Sequence, residues 1–124
     1  STPLYSSAAS DVYKRQAVFV SFEKKPTKEQ IIEKWRSFSG LPQELNLPSA
    51  PKHFIQYLEE DNRPQVALDV NYENGFGVSF GRLREDTVFD YKFVGLSHNT
   101  IRGAAGGAVL IAELLTAQKY IEAK

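Results

Sequence analysis

The chain has 124 residues, with 15 basic and 15 acidic side chains, two histidines and no cysteine. The length suits one domain, and the balanced charge provides neither a basic stripe for nucleic acid nor an acidic tail for a basic partner. Without cysteine there is no disulfide framework, thiolate metal site or thiol nucleophile in this sequence. No apolar run is long enough to span a membrane. We therefore expect a soluble, intracellular domain without a metal site.

The first 16 residues have neither a strand nor a helix period and stop abruptly at the apolar run AVFVSF. In one frame, DVYKRQ back-translates to GATGTGTATAAGAGACAG, a transposon end used in sequencing libraries, and SSAAS matches the flanking adapter. We interpret Ser1–Gln16 as translated sequencing adapter, with the native chain starting at Ala17. A natural flexible N-terminus is the alternative. Because the segment has no core-forming pattern, its deletion is expected to leave folding unchanged.

From Ala17 onward the pattern predicts an α+β order of elements. AVFVSFEKK predicts a strand that Pro26 ends. The capping-box pair Thr27 and Gln30 then predicts a helix over 28–38. LPQELNLPSAPKH, with three prolines, predicts a surface loop.

Three more segments predict strands that form an antiparallel or mixed sheet. They are FIQYLEED, GFGVSFGRLR after a turn at Asn74-Gly75, and DYKFVGLSH. A final helix is expected from Thr100 to about Ala123. Its first half is apolar nearly all round, which predicts a helix buried against more than one neighbour.

The most informative stretch is GLSHNTIRGAAGGAVLIAELL, where Asn99 or Thr100 is expected to cap the last helix. Glycine inside a helix costs about 1 kcal/mol relative to alanine, so Gly103, Gly106 and Gly107 need a reason. One explanation is close packing on a sheet. The other is a ligand that approaches the backbone and is bound by helix-start amides and the Asn99 carboxamide. The stretch does not match a phosphate-binding loop.

Other polar residues are weaker candidates. His98 is either an acid/base or, as we prefer, a histidine at a strand end, and His53 is expected at the surface. The acidic run at 59–61 is typical of a solvated turn. Arg82 and Arg84 are expected on one strand face, where they hold an anion or, as we prefer, pair with acids across a dimer interface.

Several segments together carry a family resemblance. HNTIRGAAGGAVLIAELL, with VSFEKKPTKEQI, PQELNLPSAPK, NRPQ and GVSFGRLR, resembles the C-terminal third of aspartate-β-semialdehyde dehydrogenases of the fungal and archaeal branch. The resemblance implies a GAPDH-like C-terminal catalytic and dimerisation domain over 17–98. It also implies that the helical region 99–124 packs on an NADP-binding Rossmann domain.

The implied reaction is reduction of β-aspartyl phosphate to aspartate semialdehyde with NADPH, in lysine, threonine and methionine biosynthesis. A cysteine thiolate attacks the acyl phosphate and gives a thioester, which hydride then reduces. The family's cysteine has no counterpart here, and neither His53 nor His98 matches its acid/base histidine, which precedes AVFVSF. Asn99 matches the residue that contacts the nicotinamide carboxamide, and Gly103 matches the helix start facing the cofactor. The chain alone is therefore expected to be inactive.

The resemblance further implies a cytoplasmic homo-oligomer, a dimer or tetramer, with a small-molecule substrate and no nucleic-acid or membrane partner. Two alternatives stay open. One is a part of a related acyl-CoA reductase, such as malonyl-CoA reductase. The other is a naturally short, non-catalytic dimerisation module.

Overall fold

The structure is a computed structural model that describes residues 13–120. The strands are β1 (Tyr13–Val20), β2 (Ile55–Leu58), β3 (Val78–Glu85) and β4 (Tyr91–His98). The α-helices are α1 (Lys28–Ser37), α2 (Leu41–Glu44), α3 (Val66–Asp69) and α4 (Gly106–Ala117). A tight turn at Tyr72–Gly75, in which Glu73 and Asn74 adopt left-handed φ angles, precedes β3, and a π-helical turn at Ile101–Ala105 leads into α4. No helix in this part of the chain is long and apolar enough to cross a membrane.

The four strands form one sheet in the order β1-β4-β3-β2. β4 pairs antiparallel with both β1 and β3, whereas β2 runs parallel to β3. The expected α+β class with a mixed sheet is confirmed. Because β4 lies between two partners, its end fixes where the chain enters the last helix.

Helix α1 covers one face of the sheet through Trp35. The indole ring lies 4.5 Å from the ring of Phe80, 4.9 Å from Phe93 and 5.7 Å from Tyr57, measured between centroids. Aromatic rings at these separations add to the energy of area burial. They form the core with buried Leu83 and its neighbours.

The expected start of α1 is confirmed by the observed capping box. Thr27 Oγ1 accepts the Gln30 N–H at 3.2 Å, and Gln30 Oε1 accepts the Thr27 N–H at 2.9 Å. The segment 41–53 differs from the expected loop, because its first residues form α2 with Pro42 in the first turn, where proline costs no hydrogen bond. α3 was not expected, since VALD is too short to show a helical period.

The loop after β2 covers the centre of the sheet's other face. A Cβ at Gly81 would lie 2.3 Å from the Arg63 carbonyl oxygen, so only glycine permits this approach. The Arg63 guanidinium pairs with the buried Asp69 carboxylate, whose Oδ2 also accepts the Gln65 N–H at 2.8 Å. The hydrogen bond from Arg63 lowers the pKa of the Asp69 carboxyl.

β1 starts four residues before the expected position. Tyr13–Gln16 lie opposite residues 95–98 in the ladder, and Arg15 Nε donates to the Pro64 carbonyl oxygen at 3.2 Å. Ladder hydrogen bonds use the backbone, so almost any side chain can occupy these positions. The expectation that Ser1–Gln16 has no part in the fold is therefore wrong for its last four residues.

This pairing makes a prediction about truncation. Removing Ser1–Gln16 should lower the free energy of unfolding by about 2–4 kcal/mol relative to removing Ser1–Val12, at roughly 1 kcal/mol per lost ladder hydrogen bond. Urea unfolding followed by fluorescence of Trp35, the single tryptophan, measures the difference. Equal midpoints for the two truncations would show that Tyr13–Gln16 contribute nothing to stability.

Candidate functional site

Strand β4 ends in His98, a buried imidazole directed at the start of the last helix. Its Nδ1 accepts the backbone N–H of Thr100 at 3.2 Å and that of Ile101 at 3.1 Å. An Nδ1 that accepts two donors carries no proton, so the neutral ring is protonated on Nε2. The expectation that Asn99 or Thr100 caps this helix is wrong. The observed cap is the His98 ring, two or three residues earlier in the chain.

Asn99 lies between β4 and the π-helical turn and is half-buried. Its Nδ2 donates to the Tyr13 carbonyl oxygen at 3.0 Å. The carboxamide therefore lies across the end of the sheet, where β1 and β4 meet. This bond involves the backbone of a residue that we interpret as adapter.

The π-helical turn explains two of the three glycines. In this wide turn the Gly106 N–H donates to the Ile101 carbonyl oxygen, five residues earlier. A Cβ at Gly106 would lie 2.5 Å from that oxygen, and a Cβ at Gly107 would lie 2.6 Å from the Arg102 carbonyl oxygen. Both glycines are required by the helix itself, a reason that neither sequence-based explanation anticipated.

Gly103 is different, because the described chain leaves space at its α-carbon. The neighbour nearest to a Cβ built there is the His98 carbonyl oxygen at 3.7 Å, an ordinary van der Waals distance. Gly103, Ala104 and Ala105 are all exposed. The outer side of the turn is therefore smooth and open to a ligand or another part of a protein.

The start of the last helix is docked on the turn before β3. Gly75 has a φ of 87°, and a Cβ there would lie 2.7 Å from Cδ1 of Ile101. Arg102 Nη1 donates to the Phe76 carbonyl oxygen at 2.8 Å, and its guanidinium lies 4.9 Å from the centroid of the Phe54 ring. Burial lowers the pKa of the Arg102 guanidinium, which still stays protonated at neutral pH. These contacts fix the helix start from the inner side.

A second contact fixes the far half of the helix. The Glu113 carboxylate accepts the Ser49 N–H at 2.7 Å and the Ser49 hydroxyl at 2.5 Å. This pair of residues, 64 positions apart, was not predicted from the sequence. Glu113 is the only charged residue within GGAVLIAELLTA, and a lone charge on an apolar helix was the available signal.

The outer side of α4 is uncovered. Val109 is 51% exposed and Ile111 is 59% exposed, and no residue of α4 is buried. The described chain covers α4 along its inner side only, as expected for an apolar helix that needs a second neighbour besides this sheet. α4 ends at Ala117, and the expected helix end at Ala123 lies outside the described residues.

The remaining candidates lie apart from this site. His53 is exposed, and the acidic run at 59–61 is exposed as expected, with Glu59 3.4 Å from Arg36. A β-bulge in β3 interrupts the alternation on which the one-face expectation for Arg82 and Arg84 relied. Arg84 donates instead to the Arg82 carbonyl oxygen at 2.6 Å. Their pairing across a dimer interface stays a prediction.

Two further features bear on ligand binding. Within residues 13–120, no group of three or more histidine, aspartate or glutamate side chains could hold a metal ion. A groove of about 780 Å³ lies between β1 and α1, lined by apolar side chains such as Val18, Ile31 and Trp35. None of His98, Asn99 and Gly103 lines it, so the groove and the candidate site are separate.

No protein-family model matches the chain, but individual proteins of known identity do. Aspartate-semialdehyde dehydrogenase of Saccharomyces cerevisiae is 49% identical over 96 residues, which are 77% of this chain and 26% of that protein. The Methanothermobacter thermautotrophicus enzyme is 41% identical over 102 residues, 81% of this chain and 29% of that protein. The chain is a homologue of the fungal and archaeal aspartate-semialdehyde dehydrogenases. It spans between a quarter and a third of their length.

A further relative and two solved structures extend this finding. Malonyl CoA reductase (NADP) of Metallosphaera sedula is 42% identical over 109 residues, 86% of this chain and 30% of that protein. Aspartate semialdehyde dehydrogenase of Candida albicans, solved with NADP, superposes with a TM-score of 0.79 at 40% identity, covering 88% of this chain and 31% of that one. Aspartate semialdehyde dehydrogenase II of Vibrio cholerae, at 22% identity and a TM-score of 0.67, shares the fold; the match covers 89% of this chain and 28% of that one. The resemblance and the fold expected of this dehydrogenase homologue are confirmed.

The glycines of the last helix provide a test of which position is free for a ligand. Gly103→Ala should raise the free energy of unfolding of this chain by up to about 1 kcal/mol, because alanine favours the helix and finds space. Gly106→Ala should lower it by about 1–3 kcal/mol, because the methyl group meets a carbonyl oxygen. Urea unfolding of both variants measures the effects. A destabilised Gly103→Ala variant would show that this glycine is needed by the fold.

Proposed function

We propose that this chain is the C-terminal part of an NADP-dependent aspartate-semialdehyde dehydrogenase, in which Asn99 and Gly103 contact the nicotinamide end of the cofactor. The observation that carries the proposal is the 40% identity and TM-score of 0.79 to the Candida albicans enzyme solved with NADP. The open α-carbon of Gly103 supports it independently, because the fold of residues 13–120 gives no reason for a glycine there.

The residues present fit such a cofactor. A carboxamide like that of Asn99 offers donors and an acceptor, the complement of the nicotinamide carboxamide. At Gly103 a flat ring can approach the backbone without meeting a side chain. NADP supplies the hydride for the reaction, and these two residues orient the ring that carries it.

We propose that the complete enzyme reduces β-aspartyl phosphate to aspartate semialdehyde, in lysine, threonine and methionine biosynthesis in the cytoplasm. The nucleophilic cysteine and the acid/base histidine of such an enzyme have no matching residues in this sequence. The chain by itself therefore provides cofactor contacts and a structural platform but no chemical step.

The helical region 99–124 is proposed to pack on an NADP-binding domain. The exposed Val109 and Ile111 support this, since each aliphatic side chain left in water forgoes about 1.5–3 kcal/mol of burial. A domain on the outer side of α4 would cover them and lie next to Gly103.

A homo-oligomer is also proposed. The face of the sheet opposite α1 leaves Phe19 51% and Phe89 46% exposed, with ring centroids 6.0 Å apart. Val88 nearby is 82% exposed. Exposed apolar groups that cluster in this way are typical of interfaces between subunits.

A second candidate is a part of a malonyl-CoA reductase. The favouring observation is the match to the Metallosphaera sedula enzyme, which extends over 109 residues of this chain. The resemblance implies a substrate pocket built by residues upstream of this chain, so the gene sequence upstream of the Ala17 codon decides between them. A short open reading frame starting near Ala17 would instead favour the non-catalytic dimerisation module.

The proposal predicts no activity for this chain and activity for a chimera. Purified chain should give no phosphate-dependent reduction of NADP with aspartate semialdehyde. A Saccharomyces cerevisiae enzyme in which the matching part of this chain replaces the enzyme's own matched segment, an alignment of 96 residues, should be active. In that chimera Asn99→Ala should raise the dissociation constant of NADP about tenfold, the cost of one lost hydrogen bond.

Gly103→Ala should weaken NADP binding in the same chimera while stabilising the isolated chain, so function and stability move in opposite directions. Ser37→Ala, on the exposed side of α1, is the matched control and should leave NADP affinity unchanged. Unchanged affinity in both Asn99→Ala and Gly103→Ala would contradict the proposed cofactor contacts.

The uncovered helix makes a separate prediction about association. The isolated chain should bind a hydrophobic dye and self-associate, and Val109→Glu with Ile111→Glu should reduce both effects. Leu68→Glu, an equally exposed position on α3, is the control and should change neither by as much. A chain that stays monomeric and binds no dye would refute an exposed docking face.

A further inference from the structure

We infer that His98 is a positioning residue for the proposed cofactor contacts and takes no part in proton transfer. Its imidazole holds the N-terminal end of the last helix, and through it the Asn99 turn and Gly103. The inference extends the proposed function to a residue that contacts neither substrate nor cofactor.

The geometry of Nδ1 carries the argument. Thr100 N and Ile101 N lie 3.2 and 3.1 Å from this one atom, and the Thr100 hydroxyl lies 3.2 Å from it. The first N–H groups of a helix have no intrahelical partner, and a side-chain acceptor that precedes the helix satisfies them. His98 does for this helix what Asn, Asp, Ser or Thr does for most others.

Burial raises the energetic cost of losing the hydrogen bonds to His98 Nδ1. His98 is 7% exposed and comes at the end of the central strand β4, so water cannot easily replace its acceptor atom. Without the ring, two backbone N–H groups near the sheet end would lose their acceptor, which costs more than a hydrogen bond at the surface. Asn99 lies in the chain between His98 and the helix that the His98 ring caps. Loss of the cap would therefore remove a restraint on the Asn99 backbone.

The same contacts argue against an acid/base role. Nδ1 is occupied by backbone donors, and a proton taken up there would break both bonds. Asparagine tests this distinction, because its Oδ1 is attached to Cγ as Nδ1 is in histidine and also accepts N–H donors. Asparagine can cap the helix, but it does not exchange protons near neutral pH.

The first experiment uses the 124-residue chain labelled with ¹⁵N. The ring of wild-type His98 should show an unprotonated Nδ1 and a protonated Nε2. In His98→Leu the Thr100 and Ile101 amides should exchange with solvent about tenfold faster than in wild type. His98→Asn should restore most of the protection, and Thr100→Val, which removes only the hydroxyl, should leave it intact.

Either of two results would overturn the inference. One is a ring protonated on Nδ1, a measurement that needs no variant and applies even when His98→Leu fails to fold. The other is a His98→Asn variant whose two amides exchange as fast as those of His98→Leu.

The second experiment uses the chimera with NADP. His98→Leu should weaken NADP binding severalfold, His98→Asn should restore it, and the pH profile of kcat should keep its shape in both. A changed pH profile in His98→Asn would overturn the inference by showing proton transfer at this ring. Failure of the proposed function can be told apart from failure of this inference. If only the proposed cofactor contacts are wrong, Asn99→Ala will leave NADP affinity unchanged, while the amide exchange rates of the His98 variants will still be as expected.

Discussion

The junction between β4 and the last helix is the constraint on which the remaining structure depends. β4 is held on both sides by neighbouring strands, so its end has one possible position. From there the chain turns at once, with Ile101 against Gly75 and Arg102 bound to the Phe76 carbonyl oxygen. These contacts determine the direction in which the helix leaves the sheet. In the second half of the helix, the hydrogen bonds from Ser49 to the Glu113 carboxylate hold it in that direction.

The π-helical turn at this junction links packing to function. The wide turn brings two carbonyl oxygens against Gly106 and Gly107, and those glycines permit it. It leaves Gly103, four residues after Asn99, on the open side of the turn. π-helical turns often occur as single turns within α-helices at functional sites. In a dehydrogenase homologue, the Asn99–Gly103 segment is the one proposed to contact the cofactor.

Local patterns predicted most of the elements but not their termini. The capping box at Thr27 and the alternation in β4 are contacts between near neighbours in sequence, so the sequence predicts them directly. The extension of β1 to Tyr13 depends on a partner strand more than 80 residues away, and backbone pairing leaves no mark on side-chain pattern. The bulge in β3 was missed for a similar reason, since Arg82 adopts a φ of 55° that no local signal announces.

The candidate site was predicted in part, because different physical causes produce the same residue types. Three glycines in one helix look alike in sequence, yet two meet their own helix's carbonyl oxygens and one meets open space. The preferred prediction that His98 ends a strand is confirmed, whereas its contacts as a helix cap were not predicted. The apolar pattern around Val109 and Ile111 predicted a helix that needs more than one neighbour, and both side chains are exposed where the described chain provides only one.

We propose above all that the Asn99–Gly103 segment faces the nicotinamide in the complete enzyme. The most direct measurement is a crystal structure of the chimera with NADP bound. We expect the Asn99 carboxamide within hydrogen-bond distance of the nicotinamide carboxamide, about 2.7–3.2 Å between heavy atoms, and the Gly103 α-carbon in contact with the cofactor. A nicotinamide bound elsewhere, with the outer side of this turn facing solvent, would contradict it.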